Sequence, residues 1–318
     1  MKLSEQSTTD SAAITADTDM APHGAPAASH RDQRRPVLPR LTPYLQAVPL
    51  TLVLAFFLLL PMLAIIVVSF FDYNSVQIIP AFITGNYRDV LFSWVTWSTY
   101  INTLRFTAIV WIVTLVVGFW VAYYLAFEVR ALTTQLVLFL VCTIPFLTSN
   151  IIRMISWVPF LGREGLLNSV LLRLHLIDQP LEFLLFSDFA VVLAFVHLYT
   201  LFMVVPIFNT MMRIDRRLIE AAIDNGARTW QVIAYVVVPL SKTGIAIGSI
   251  FVVTLVMGDF ITVRLMSGGQ SASVGLMIAN EISLLQYPAA CANAVVLLAV
   301  VLLMIAGILR IVDIRREL

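Results

Sequence analysis

Arg213, Asp215, Arg216, Arg217, Glu220, Asp224 and Arg228 fall close together between two long apolar runs, with Ala221, Ala222 and Gly226 among them. Charges of both signs mixed with small residues suit contact with another macromolecule rather than bond-making chemistry. Catalysis would need a nucleophile beside a base, or a metal-ligand set, and no His-, Asp- or Ser-based constellation has suitable helical spacing. His23, His30, His175 and His197 are scattered. Cys142 and Cys291 lie inside apolar runs, poorly placed for a disulfide framework or a metal cage. Lys2 and Lys242 are the only lysines, and neither ends a G-x-x-x-x-G-K-[ST] phosphate loop. Any ATP chemistry therefore belongs to another chain.

A second set of polar residues sits within or beside apolar sequence: Asp259, Glu281, Asn150, Tyr199 and Asn280. Asp259 is expected inside the fifth apolar stretch, near mid-bilayer. A carboxylate there costs a few kcal/mol unless it is paired or hydrated, so it faces a route or a partner. Two readings stand side by side. Asp259 either lines a path for a cationic solute, or it is a structural charge paired with Arg264 or with another chain. Glu281, Asn150, Tyr199 and Asn280 are further candidates for the same path. His197 reads first as a hydrogen-bonded structural histidine. Arg153 either meets an external partner or fixes its own helix.

The elements that position these residues follow from composition. Of 318 residues, 60% are hydrophobic and 12% charged, with mean hydropathy +0.92 and net charge +1. A soluble domain carries about 25% charged residues, so the chain is an integral membrane protein, in contact with lipid. The near-zero net charge excludes nucleic acid as an obvious partner. Residues 1–43 are rich in Ala, Ser, Thr, Asp and Pro and read as a disordered cytoplasmic tail without the apolar core of a cleaved signal peptide. The remainder, 44–318, is one transmembrane domain.

Six apolar stretches are predicted as membrane helices: 46–70, 99–126, 133–152, 189–211, 241–265 and 291–312. Pro61, Pro145 and Pro206 are expected to kink them. With both termini in the cytoplasm, 14 of the 20 basic residues fall inside, which supports that orientation. Arg153, Arg163 and Arg173 in the 153–188 connection run against it. That connection also predicts a short amphipathic helix near 164–175. Trp94 and Trp97 suit an interfacial belt. A less hydrophobic helical stretch before Tyr287-Pro288 lies at the interface or partly re-enters.

The loop 212–240 predicts a two-helix knuckle in the cytoplasm. Leu218, Ala221 and Ala222 share one helical face, and Asn225-Gly226 stops the helix. A second short helix starts near Thr229 and ends at Pro239. From these residues alone, a partner-docking knuckle and an unpartnered surface helix weigh about equally.

The pattern Glu220-Ala221-Ala222, three residues, Gly226, nine residues, then Val236-Val237-Val238-Pro239 resembles the EAA loop of permeases from binding-protein-dependent ABC importers. Valine stands where that family carries Ile and Leu before the proline. A second set resembles the spermidine/putrescine B-type branch and its iron(III) and opine relatives: Pro145-Phe146-Leu147-Thr148-Ser149, Ile152-Arg153, Trp157, Gly165-Leu166-Leu167-Asn168, Asn86-Tyr87-Arg88 and Gly258-Asp259-Phe260. Val263 replaces a common proline, and Ser267 precedes Gly268-Gly269.

The resemblance implies an all-α, six-span type I importer permease fold in a bacterial inner membrane. It implies a coupling helix over 217–227, in which Arg216, Arg217, Glu220, Ala221, Ala222, Asp224 and Gly226 meet an ATPase. The implied partners are a second permease subunit in a heterodimer, two ATPase subunits and a periplasmic binding protein. ATP and Mg would reside on the ATPase, and this chain would hold no cofactor, metal or catalytic residue. The implied cargo is a polyamine or a related cationic, amino-acid-derived solute, with iron(III) or opine-like compounds as the alternative. A stand-alone secondary transporter is the rival reading; it calls for inverted repeats, and no convincing internal repeat is found.

Overall fold

The computed structural model describes residues 42–74, 78–129 and 131–312, with side chains from residue 48 onward. The tail expected over 1–43 lies outside these residues, apart from 42 and 43, which belong to a helix starting at Thr42. The chain divides at Val53 into two units, and the second, Leu54–Leu318, holds the helical bundle.

Five helices are long and apolar enough to cross a bilayer. They are α1 (Val48–Val68), α3 (Trp94–Glu128), α7 (Asp188–Met211), α9 (Thr229–Gly258) and α12 (Tyr287–Ile311). Shorter helices lie between them: α2 (Gly85–Phe92), α4 (Leu132–Leu147), α5 (Asn150–Leu161), α6 (Leu166–Arg173), α8 (Arg216–Asp224), α10 (Ile261–Met266) and α11 (Val274–Ser283). One small antiparallel ladder, β1 (Asp72–Tyr73) with β2 (Ile78–Ile79), pairs Asp72 with Ile79. The amphipathic helix predicted at 164–175 is α6.

The third predicted span, 133–152, is not one straight helix. The chain breaks after Leu147 and turns by 89° into the segment Asn150–Arg173. Pro145 supplies the reason. It has no N–H to donate, and the chain tightens to a 3₁₀ turn over Ile144–Leu147. Thr148 then closes the end, its Oγ1 donating to Pro145 O at 2.8 Å. The sixth crossing exists only if this bent pair is counted as one span.

The fifth span also departs from expectation. Its helix starts at Thr229, not 241, and stops at Gly258, not 265. The second knuckle helix and the membrane helix are thus one rod of 30 residues, about 45 Å long. Pro239 does not end it, because the preceding residues Ile233–Val237 widen to a π turn. The same device, Ala55–Leu59 before Pro61, carries α1 past its proline.

The core forms around α7, which packs on α3 and α9. Ala190, Val191, Ala194, Phe195, Met203, Ile207 and Met211 are buried along it. Without a hydrophobic drive between helices in lipid, close backbone approach and interhelical hydrogen bonds hold such bundles. Gly244 supplies the approach: a Cβ there would lie 2.5 Å from Pro206 O and 3.0 Å from Ile207 Cα. At Gly248 it would meet Met203 Sδ at 2.8 Å. Trp111 Nε1 donates to Ser249 Oγ at 2.8 Å across α3 and α9.

Candidate functional site

The knuckle begins where Asp215 caps α8: its Oδ1 accepts from the Arg217 backbone N–H at 3.0 Å. An Asp cap satisfies an orphan N–H and complements the helix dipole. Nine residues later the helix closes. Ala227 N donates to Ala222 O at 3.0 Å and Gly226 N to Ile223 O at 2.8 Å. This is a Schellman closure, and it puts Gly226 at φ +83°. Nothing lies within 4 Å of a Cβ built at Gly226, so its glycine is set by backbone conformation, not by crowding. Gln231 Oε1 accepts from Arg228 N at 2.8 Å and starts α9.

The knuckle is anchored on one side and open on the other. Arg216 Nη2 donates to Ala126 O at 3.2 Å, near the end of α3. Ile214 and Ile219 pack against the main core. Arg217, Glu220, Ala221 and Asp224 are exposed to solvent, with Ala222 half-buried. Leu218 and Ile223 are 50% and 55% exposed on the same short helix. Among the described residues, the side chains of Arg217, Glu220 and Asp224 take part in no ion pair or hydrogen bond. The surface therefore offers unpaired charge and bare apolar groups together. A cleft of about 720 Å³ lies at its root, lined by Asn209, Arg213, Asp215, Leu218, Thr243 and Phe251 among others.

Asp259 sits at the break between α9 and α10, not within a helix. Gly244 against Pro206 and Gly248 against Met203 set an antiparallel register. The side chain that meets Asp259, Tyr199, stands near the middle of α7. Tyr199 Oη donates to Asp259 Oδ2 at 2.6 Å, and Thr262 Oγ1 to the same oxygen at 2.8 Å. Thr262 N donates to Oδ1 at 2.9 Å. The carboxylate thus caps α10 and ties it to α7. The structural partner suggested for it, Arg264, binds Asn280 Oδ1 at 2.9 Å instead. Neither Tyr199 nor Thr262 was paired with Asp259 in the sequence reading; Tyr199 lies 60 positions away.

The other candidates do not join Asp259. Asn150 Oδ1 accepts from Arg153 Nη2 at 2.5 Å. Glu281 accepts both contacts of Asn293 Nδ2, at 2.9 and 3.1 Å, while Tyr100 Oη donates to Asn293 O at 3.1 Å. His197 Nδ1 accepts from Trp157 Nε1 at 3.0 Å, in keeping with a structural histidine. A further group was missed in the sequence. Asp188 accepts from Ser271 Oγ and pairs with Arg105 at 3.4 Å, while Val274 N donates to Thr103 Oγ1 at 3.0 Å. These contacts staple the segment after α10 to the starts of α3 and α7. Its residues lie some 80 to 170 positions apart, so no local pattern announces it.

No group of three or more His, Cys, Asp or Glu able to hold a metal occurs among the described residues. Membrane-length helices joined by an exposed, charged two-helix knuckle define an integral membrane protein. Residues 114–315 match the family described as binding-protein-dependent transport system inner membrane component. The chain belongs to that family; it is the permease component of an ABC importer, an inner-membrane multi-pass subunit that is not itself catalytic. Such a component implies ATPase and binding-protein partners.

The chain is 33% identical to the spermidine/putrescine transport system permease protein PotB of Haemophilus influenzae, over 72% of this chain and 79% of that protein. It is 30% identical to PotB of Escherichia coli, over 79% and 91% respectively. A more distant relative is the osmoprotective compounds uptake permease protein GgtC of Synechocystis, at 27% identity over 82% and 96%. A crystal structure of a bacterial ABC transporter involved in import of the acidic polysaccharide alginate shares the fold. Its TM-score is 0.68 at 18% identity, covering 85% of this chain and 94% of that one.

Proposed function

We propose that this chain forms half of the translocation route of an ATP-driven importer for polyamines or closely related small cationic solutes, pairing with a second permease subunit. About 30% identity to PotB proteins over most of the chain supports the cargo class. The coupling role rests on the knuckle: an anchored nine-residue helix whose Arg217, Glu220 and Asp224 are exposed and have no partner among the described residues. On this reading Arg216, Arg217, Glu220, Ala221, Ala222, Asp224 and Gly226 seat in an ATPase subunit. Both termini and the knuckle then face the cytoplasm.

The rod α9 gives the coupling a mechanical basis. It begins at Thr229, just past the Gly226 turn that ends α8, and runs as one helix to Gly258, next to Asp259, so a movement passed across that turn reaches Asp259 along a single helix. Closure of two ATPases would tilt the rod and shift the α10 break, changing access by rigid-body motion. Asp259, Tyr199, Glu281 and Asn150 are the proposed polar residues of the route. Asp259, held by three donors, serves it as a fixed anchor and not as a free counter-charge.

The test is uptake of labelled putrescine and spermidine into proteoliposomes holding the complete transporter with its binding protein. ATP-dependent import of either supports the proposal. Import that persists without ATP under a proton gradient would overturn the importer mechanism. ATP-driven import of ferric or opine-type compounds with neither amine accepted would overturn the cargo.

A further inference from the structure

Arg153 is 8% exposed, and its Nε is buried without a hydrogen-bond partner. Nη2 is held by Asn150. Among the described residues no carboxylate forms an ion pair with it. A guanidinium withdrawn from water without a counter-ion costs several kcal/mol, so the arrangement calls for an anion. Arg153 also lies in the first turn of α5, where Ser149 makes no side-chain cap. The uncapped helix start adds positive potential at the same place.

Arg153 borders a cavity of about 200 Å³ between α3, α4, α5 and α7, lined also by Val121, Cys142, Phe146, His197 and Thr200. Because His197 Nδ1 accepts from Trp157, the neutral ring carries its proton on Nε2 and is a donor there. Thr200 spends its hydroxyl hydrogen on Val196 O at 2.6 Å, leaving oxygen lone pairs only. Arg153 and His197 are thus among the lining residues, none of which is acidic, and the rest of the lining surface is mostly apolar. A carboxylate with one or two carbons fills roughly the space of three waters, about 90 Å³, well within this volume.

We propose that this cavity binds a carboxylate group, with Arg153 as its counter-charge. The group comes either from a small carboxylated solute or from an acidic side chain of another subunit in the assembled transporter. The site stands on its own geometry, whatever the main cargo proves to be.

Cys142 lines the cavity and reports on its occupancy. In the full chain carrying Cys291→Ser, the rate of Cys142 labelling by a small methanethiosulfonate is measured with acetate or with acetamide, its neutral isostere. The expected result is several-fold slower labelling with acetate and little change with acetamide. Arg153→Met should abolish the acetate effect, and Arg153→Lys should keep part of it. Repeating the measurement in the assembled transporter separates the two sources. Slow labelling without acetate assigns the carboxylate to a neighbouring subunit; labelling still slowed by acetate assigns it to a solute. Equal effects of acetate and acetamide, or none from either with no change on assembly, would overturn the proposal. The comparison on the Cys291→Ser chain alone decides this even if Arg153→Met fails to fold.

Discussion

The Tyr199 hydroxyl donates a 2.6 Å hydrogen bond to Asp259 Oδ2, joining α7 to the break that ends α9. The same carboxylate holds Thr262, so one side chain fixes the angle between the rod α9 and α10. Removing Tyr199's hydroxyl leaves the rest of the packing in place, including the Phe195 ring stacked at 5.8 Å. Tyr199→Phe should destabilise the purified chain by about 1.5–3 kcal/mol, the range for a hydrogen bond to a charged group. Thr262→Val should act on the same carboxylate, so the double variant should lose less than the sum. Thermal unfolding of the three variants in detergent checks this; strict additivity would refute the shared anchor.

Gly226 tests the knuckle's closure. Its φ of +83° costs a residue with a Cβ about 1–2 kcal/mol, while Asn enters that region more readily. Gly226→Ala should leave membrane insertion intact and lower ATP-driven uptake, and Gly226→Asn should fall between it and the parent. Equal uptake by all three would show that this turn is not used in coupling.

Glu220 tests the open side. Among the described residues it has no ion pair to lose, so Glu220→Lys should change the chain's own stability by no more than about 0.5 kcal/mol. ATPase co-purification should nevertheless drop, because a charge is reversed at the proposed contact. A normal yield of ATPase with the variant would move the docking surface elsewhere.

Gly244 tests the helix seam. A side chain there must displace the backbone at Pro206 and Ile207, which cannot yield as a flexible side chain can. Gly244→Val should cost at least about 1–3 kcal/mol by overpacking. Gly307→Val is the control, since nothing lies within 4 Å of a Cβ there. Comparable losses at both sites would contradict the close α7–α9 approach.

Much of this architecture was readable from residue order. Apolar runs of about 20 residues gave the spans at 189–211 and 291–312 to within a few residues of α7 and α12. Asn225-Gly226 marked the end of α8, because a glycine stop is local chemistry. A kink was expected at Pro145 and an 89° break is found after it, while the fifth helix was misplaced at both ends, Pro239 failing to stop the knuckle helix. Pro145 broke its helix, whereas Pro239 and Pro61 were absorbed by π turns. A proline removes the same donor in each case, and the surrounding backbone decides whether the helix reforms.

Composition and local spacing alone determined that this chain lives in a membrane and where the first helix of its knuckle stops. Both depend on transfer free energy and on backbone preferences within a few residues. Only the tertiary structure decided the partners of its polar groups. Asp259 found Tyr199 rather than Arg264, Glu281 found Asn293, and Arg153 was left with an unsatisfied nitrogen beside a cavity. Such pairings are set by which helix faces meet. In lipid that choice is made by close packing and hydrogen bonding across distant segments, not by the sequence around each residue.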